Sequence, residues 1–109
     1  MAKPNTLRKL AGLEDNPASL SESTLLMIDC QNTYRTGVMQ LSGVEAALDE
    51  ASRLLAPARQ LRAPVIHIQH DSGPGSPYDI RAEIGAIADK AMPVRGIEII
   101  HVESAVFTS

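Results

Sequence analysis

Four apolar residues in a row, Leu25 to Ile28, stop at Asp29. The run Ser23 to Cys30 predicts a strand. Its lack of alternation predicts cover on both faces, as in a parallel sheet. PVIHIQH, opening at Pro64, predicts a second strand, and IEIIHV, from Ile97 to Val102, a third. Val44 to Arg62 changes period. Val44, Leu48, Ala51, Leu54, Leu55, Ala58 and Leu61 fall on one broad helical face, with Asp49, Glu50, Arg53, Arg59 and Arg62 mostly elsewhere. Ser42 is placed to cap that helix, with Glu45 closing a capping box. Pro57 predicts a kink or a split. Leu7, Leu10 and Leu13 predict a short amphipathic turn between Thr6 and Leu13, with Gly12 near its end. Ile80 to Ala91 predicts a weak helix. Gln31 to Gly43 and DSGPGSPYD read as loops.

The order strand, helix, strand, short helix, strand implies α/β crossovers and a parallel sheet. One long helix cannot cover two faces. The pattern therefore predicts an incomplete sheet: the chain is a fragment, or another chain completes the core. At 109 residues the chain is one small domain. Residues 1–22, polar with Pro4, Pro17 and a Ser-rich stretch, read as an N-terminal extension. A net charge of -3 with no Lys/Arg run argues against nucleic-acid binding. No apolar run approaches the roughly 20 residues that span a bilayer, so no membrane partner is expected. The N-terminus has no apolar segment of the secretory type, and the single cysteine forms no internal disulfide. A cytoplasmic location is expected.

Asp29 falls at the carboxyl end of the first strand, where open α/β sheets bind ligands. The same position suits a turn or capping aspartate holding the backbone of Gln31 to Thr33. Cys30 invites an acid–thiol pairing, but successive strand side chains diverge. Cys30 is therefore expected as a small apolar residue of the core. His67 and His70 project to opposite faces of a strand and converge on a metal only if the strand has ended by His70. They are expected as core or loop histidines, with no metal site. His70 and Asp71 share the rim with Asp29. The loop Gly73 to Pro77 lacks the Lys-Ser/Thr ending of a phosphate loop and reads as a shaped rim.

LLMIDCQNTY, the Ala/Leu/Arg helix, APVIHIQHDSGPGSPYD and the closing SAVF together resemble the N-terminal half of the isochorismatase-like cysteine hydrolases, in order and at matching spacing. The resemblance implies an α/β fold with a doubly wound parallel sheet, of which residues 1–109 form one partial domain. It implies a hydrolase of small molecules, cleaving an amide, imide or related bond through an acyl-enzyme, usually without cofactor. The family uses an Asp, Lys and Cys triad. Asp29 matches the aspartate, the general base that takes the thiol proton. Gln31 and Asn32 match the polar residues after it, and with His70 and Tyr78 make the expected substrate-binding rim. The family lysine has no match. Counting back from Phe107 gives His101, counting forward from Gly96 gives Val102, and Lys90 falls in the loop before the strand. Cys30 does not match the family nucleophile, which lies on a later segment. HIQHD does not reproduce the ligand spacing of the metal-binding branch. The chain alone is expected to be inactive. It is then part of a hydrolase, a non-catalytic ligand- or protein-binding module derived from that fold, or a subunit whose homo-oligomer or second chain completes the sheet.

Overall fold

The computed structural model describes residues 5–14 and 16–104; Phe107 and the rest of SAVF beyond Ser104 lie outside them. Three strands, β1 (Leu25–Ile28), β2 (Val65–Asp71) and β3 (Ile99–Ser104), form one parallel sheet in the order β1-β2-β3. Register sets Leu26 opposite Ile66 and Ile66 opposite Ile99, and sets Met27 opposite His67 and His67 opposite Ile100. Because strand side chains alternate, these two rows lie on opposite faces.

The long helix α2 (Val44–Gln60) covers one face. Met27, Leu55, Val65 and Ala91 form the core there, with Leu25, Cys30, Ala51 and Ile87 packed against it. Leu55 is almost fully buried, so truncating it to alanine costs about 2–5 kcal/mol. The other face is bare among the described residues. Leu26, Ile28 and Ile99 are 49%, 58% and 60% exposed. Cover on both faces of the first strand is therefore not found. One helix spans one side of a sheet, as the element count implies.

Local details depart from the sequence expectation. The cap of α2 is Gly43 in the left-handed region (φ 79°), not Ser42, and no side chain caps the helix. Glu45 turns instead to Arg35 and Lys90. The helix is one element through Pro57. It ends in a Schellman motif, with Ala63 N–H donating to the Ala58 carbonyl (2.9 Å) and Arg62 at φ 58°, the position glycine usually takes. The short helix α1 (Leu7–Leu10) forms as expected, capped by Thr6. The third strand starts two residues later than the pattern suggests.

Residues 80–91 form no α-helix, only 3-10 turns at Glu83–Gly85 and Asp89–Ala91. Their carbonyls have other partners. Glu83, Ile84 and Gly85 carbonyls accept from the side chains of Asn32, Thr33 and Gln31, and the Ala86 carbonyl accepts from Asn32 N–H. These tertiary donors satisfy the segment's carbonyls without an α-helical ladder and hold it in 3-10 turns instead.

Candidate active site at the carboxyl end of the sheet

The site begins where β1 stops. Asp29 N–H donates to the Ile68 carbonyl (2.9 Å), which is the last rung between the two main chains. Asp29 then takes φ 56°, left-handed backbone that L residues other than Asn and Asp seldom adopt. That turn swings the chain out of the sheet. The Gln31 side chain continues the ladder in its place. Its Nε2 donates to the carbonyls of His70 (2.9 Å) and Gly85 (2.7 Å), and its Oε1 accepts from His70 N–H (2.9 Å). Gln31 is 1% exposed. It reads as a clamp joining β2 to the 80–91 segment, behind the rim rather than on it.

Thr33 and Asn32 add further ties. Thr33 Oγ1 reaches the carbonyls of Pro77 (2.7 Å) and Ile84 (3.2 Å). Asn32 Nδ2 donates to the Glu83 carbonyl (2.9 Å), and its Oδ1 accepts from Arg35 (3.2 Å). Gly85 has to be glycine, since a Cβ there would overlap the backbone of Asp79.

Asp29 is half-buried, and its carboxylate makes no hydrogen bond or ion pair among the described residues. The capping alternative, a carboxylate tying down the next residues, is thus not what forms. Asp29 lines a cavity of about 260 Å³ with Cys30, Tyr34, Leu41, Val44 and Leu48. Alternation was expected to separate Asp29 from Cys30, but the strand ends at Ile28 and the rule stops with it. The two share the cavity wall. Burial, and then the Asp29 charge, push the Cys30 thiol up, away from the reactive thiolate.

A ring network extends from the cavity across the rim. The phenols of Tyr34 and Tyr78 are 2.8 Å apart. Tyr78 meets the His70 ring edge-on at 4.7 Å, and His70 Nε2 lies 2.8 Å from Ser72 Oγ. Burial, then the bond to Tyr78, and more weakly Asp29, push the Tyr34 phenol well up. Of the expected rim residues, His70 and Tyr78 thus stand together, Asp29 is linked to them through Tyr34, and Gln31 and Asn32 lie behind.

Among the described residues no lysine stands on this rim. Lys90 Nζ bonds Glu45 (2.8 Å) and Asp49 (2.7 Å) on α2. Glu45, held also by Arg35, is pulled down to about 2. His101 is exposed beside Glu103 (2.6 Å), and Val102 carries no charge. β2 runs to Asp71, so His67 and His70 stay on opposite faces. Among the described residues no group of three or more His, Cys, Asp or Glu is placed to hold a metal.

Sequence reasoning missed Thr33, Tyr34, Gly85 and the buried pair His67–Glu98 (2.8 Å), to which Arg59 adds a second contact (2.7 Å). Glu98, an acid inside an apolar run, was the available signal for that pair. Nothing local marks Gly85, whose constraint comes from Asp79.

A family model described as the isochorismatase domain matches residues 23–93. A secreted isochorismatase effector of Verticillium dahliae is 29% identical over 97 residues, covering 88% of this chain and 51% of its own length. The isochorismatase-like protein asqB of Emericella nidulans is 26% identical, covering 85% and 66%. A crystal structure of an isochorismatase from Pseudomonas putida superposes with a TM-score of 0.83 at 33% identity, over 94% of this chain and 52% of that one. The chain thus spans about half to two thirds of the length of the Verticillium dahliae and Emericella nidulans relatives.

Proposed function

The chain belongs to the isochorismatase family, and from that premise we propose that it carries the general-base half of a thiol-dependent hydrolase acting on a small molecule at an amide, imide or related bond. One observation supports this above the others. Asp29 holds an uncommon left-handed backbone at a strand's carboxyl end, and its carboxylate has no hydrogen-bond or ion-pair partner among the described residues. The backbone turn at Asp29 is held by the Gln31 contacts, while the carboxylate it presents to the cavity bonds no other group among the described residues, as a working base requires.

In this reading Asp29 takes the proton of a thiol. The thiolate adds to the carbonyl carbon, and the tetrahedral adduct expels the amine, which recovers the proton from Asp29. Water, deprotonated by Asp29, then cleaves the thioester and returns the free acid and thiol. Cys30 is not assigned as that thiol: it packs against the core, and burial, then Asp29, push its thiol up. Lys90 is not the activating lysine, because it is tied to α2. In this reading the nucleophile and lysine come from polypeptide that completes the sheet, and the 109-residue chain alone is expected to be inactive. No helix among the described residues is long and apolar enough to cross a membrane. A cytoplasmic location belongs to the proposal.

The test substitutes this chain for the aligned half of the Pseudomonas putida protein. The chimera should hydrolyse its substrate, and Asp29→Asn should lower kcat about a hundredfold or more. Full activity in that variant refutes the base assignment. Amide hydrolysis by the isolated chain, lost on Asp29→Ala, refutes the inactivity.

A second reading, a non-catalytic binding or oligomerisation module, is favoured by the bare face of Leu26, Ile28 and Ile99. It predicts self-association or a bound partner, and a clean monomer in sedimentation counts against it.

A further inference from the structure

A second cleft lies at the opposite end of the sheet from Asp29, where α2 ends and β2 begins. Its volume is about 500 Å³. Pro64, Val65, Val94 and Ile97 give it apolar walls, and Arg62 and the Arg59–Glu98 pair give it charge. Ile97 is 81% exposed, a large aliphatic side chain offered to solvent.

The two arginines differ. Arg59 is occupied: its Nε and Nη2 bond both oxygens of Glu98 (2.7 and 3.0 Å), and Nη2 also reaches the Met92 carbonyl (2.9 Å). Glu98 is filled in turn by His67 (2.8 Å) and Val94 N–H (3.1 Å). Arg62 makes no side-chain hydrogen bond or ion pair among the described residues. It also holds the left-handed Schellman position, where glycine is the usual occupant. Two guanidiniums and one carboxylate leave the cleft one net positive charge, and Glu98 neutralises Arg59, so that charge sits on Arg62, whose side-chain donors are unused among the described residues.

We propose that this cleft binds a small organic monocarboxylate, with the carboxylate in the fork of Arg62 and its hydrocarbon body against Pro64, Val94 and Ile97. A planar guanidinium with free donors pairs both oxygens of a carboxylate. The apolar walls favour an acid with a carbon body over an inorganic anion. Glu98 close by disfavours a dianion such as phosphate. The site is separate from the Asp29 rim and does not depend on the hydrolase reading.

The experiment is amide-resolved NMR titration of the full chain with hexanoate, and with hexanol and inorganic phosphate as comparison probes. Hexanoate should give saturable shifts at Ala63, Val65 and Ile97, with hexanol and phosphate each at least about tenfold weaker. Arg62→Gln should weaken hexanoate roughly tenfold, and Ile97→Glu should do the same by removing a wall and adding a like charge. Both positions are exposed, and the spectrum itself reports that each variant is folded. The proposal is overturned if hexanoate causes no saturable shift there, if hexanol or phosphate binds as well, or if Arg62→Gln binds hexanoate as tightly as the parent.

Discussion

Gln31→Leu tests whether the residue after the aspartate–cysteine pair is a clamp or a substrate contact. Leucine keeps most of the volume and removes the amide. Three hydrogen bonds disappear, at 2.9, 2.7 and 2.9 Å. The Gly85 carbonyl keeps a donor, Gln69 Nε2 at 3.1 Å. The His70 N–H and carbonyl lose the partner that continues the β1 ladder. At about 1 kcal/mol net per bond the loss is about 3 kcal/mol, and more where the His70 groups stay dry. For a domain of this size that lowers the melting temperature by roughly 10 °C or more. Urea unfolding followed by circular dichroism gives the free energy. Hydrogen exchange at the His70 amide gives its location, with protection lost there first. A loss below about 1 kcal/mol, with the His70 amide still protected, refutes the clamp and returns Gln31 to the rim.

Other variants probe the same fold at separate points. Gly85→Ala drives a methyl into the Asp79 backbone and disturbs the acceptor of two buried amides, so it should destabilise by at least about 3 kcal/mol in chemical unfolding. Asp29→Asn should leave stability within about 0.5 kcal/mol, because the carboxylate bonds no group among the described residues and asparagine accepts positive φ. In the same variant the Cys30 thiol should titrate at lower pH, read from the pH dependence of alkylation, because a charge that pushes it up is gone. Glu98 is pulled down, first by Arg59 and also by His67 and Val94 N–H, from 4.5 to about 2. Its folded value lies below the unfolded one, so its stabilisation is full above about pH 4.5 and is lost as pH falls through about 2. Glu98→Gln should flatten that part of the stability–pH curve, a change on the order of 2–3 kcal/mol.

The three strands and α2 were legible because their apolar spacing is strong: short apolar runs for the strands, a helical stripe where one face of α2 meets the sheet. The segment from Ile80 to Ala91 was misread because its alanines and isoleucines suit a helix locally. The donors that hold its carbonyls, on Gln31, Asn32 and Thr33, are about 50 residues away in sequence. Ser42 lost the cap to Gly43 for a similar reason. Glu45, the other half of the expected box, makes ion pairs with Arg35 and with Lys90, 45 residues away in sequence. The bare face followed from counting elements: one helix, two faces.

By itself the sequence determined the lineage, the parallel α/β plan and the placing of Asp29 at a strand's carboxyl end. Those features depend on local patterning and on residues adjacent in the chain. Only the tertiary structure decided what Asp29, Cys30 and Gln31 do next to one another. Alternation predicts Asp29 and Cys30 on opposite sides, but φ 56° at Asp29 ends the strand and sets both on one cavity. The same turn lets the Gln31 amide stand in for the departing main chain. A backbone dihedral at one residue reassigns the three side chains around it, and its value is fixed by partners on β2 and the 80–91 segment that no local pattern contains.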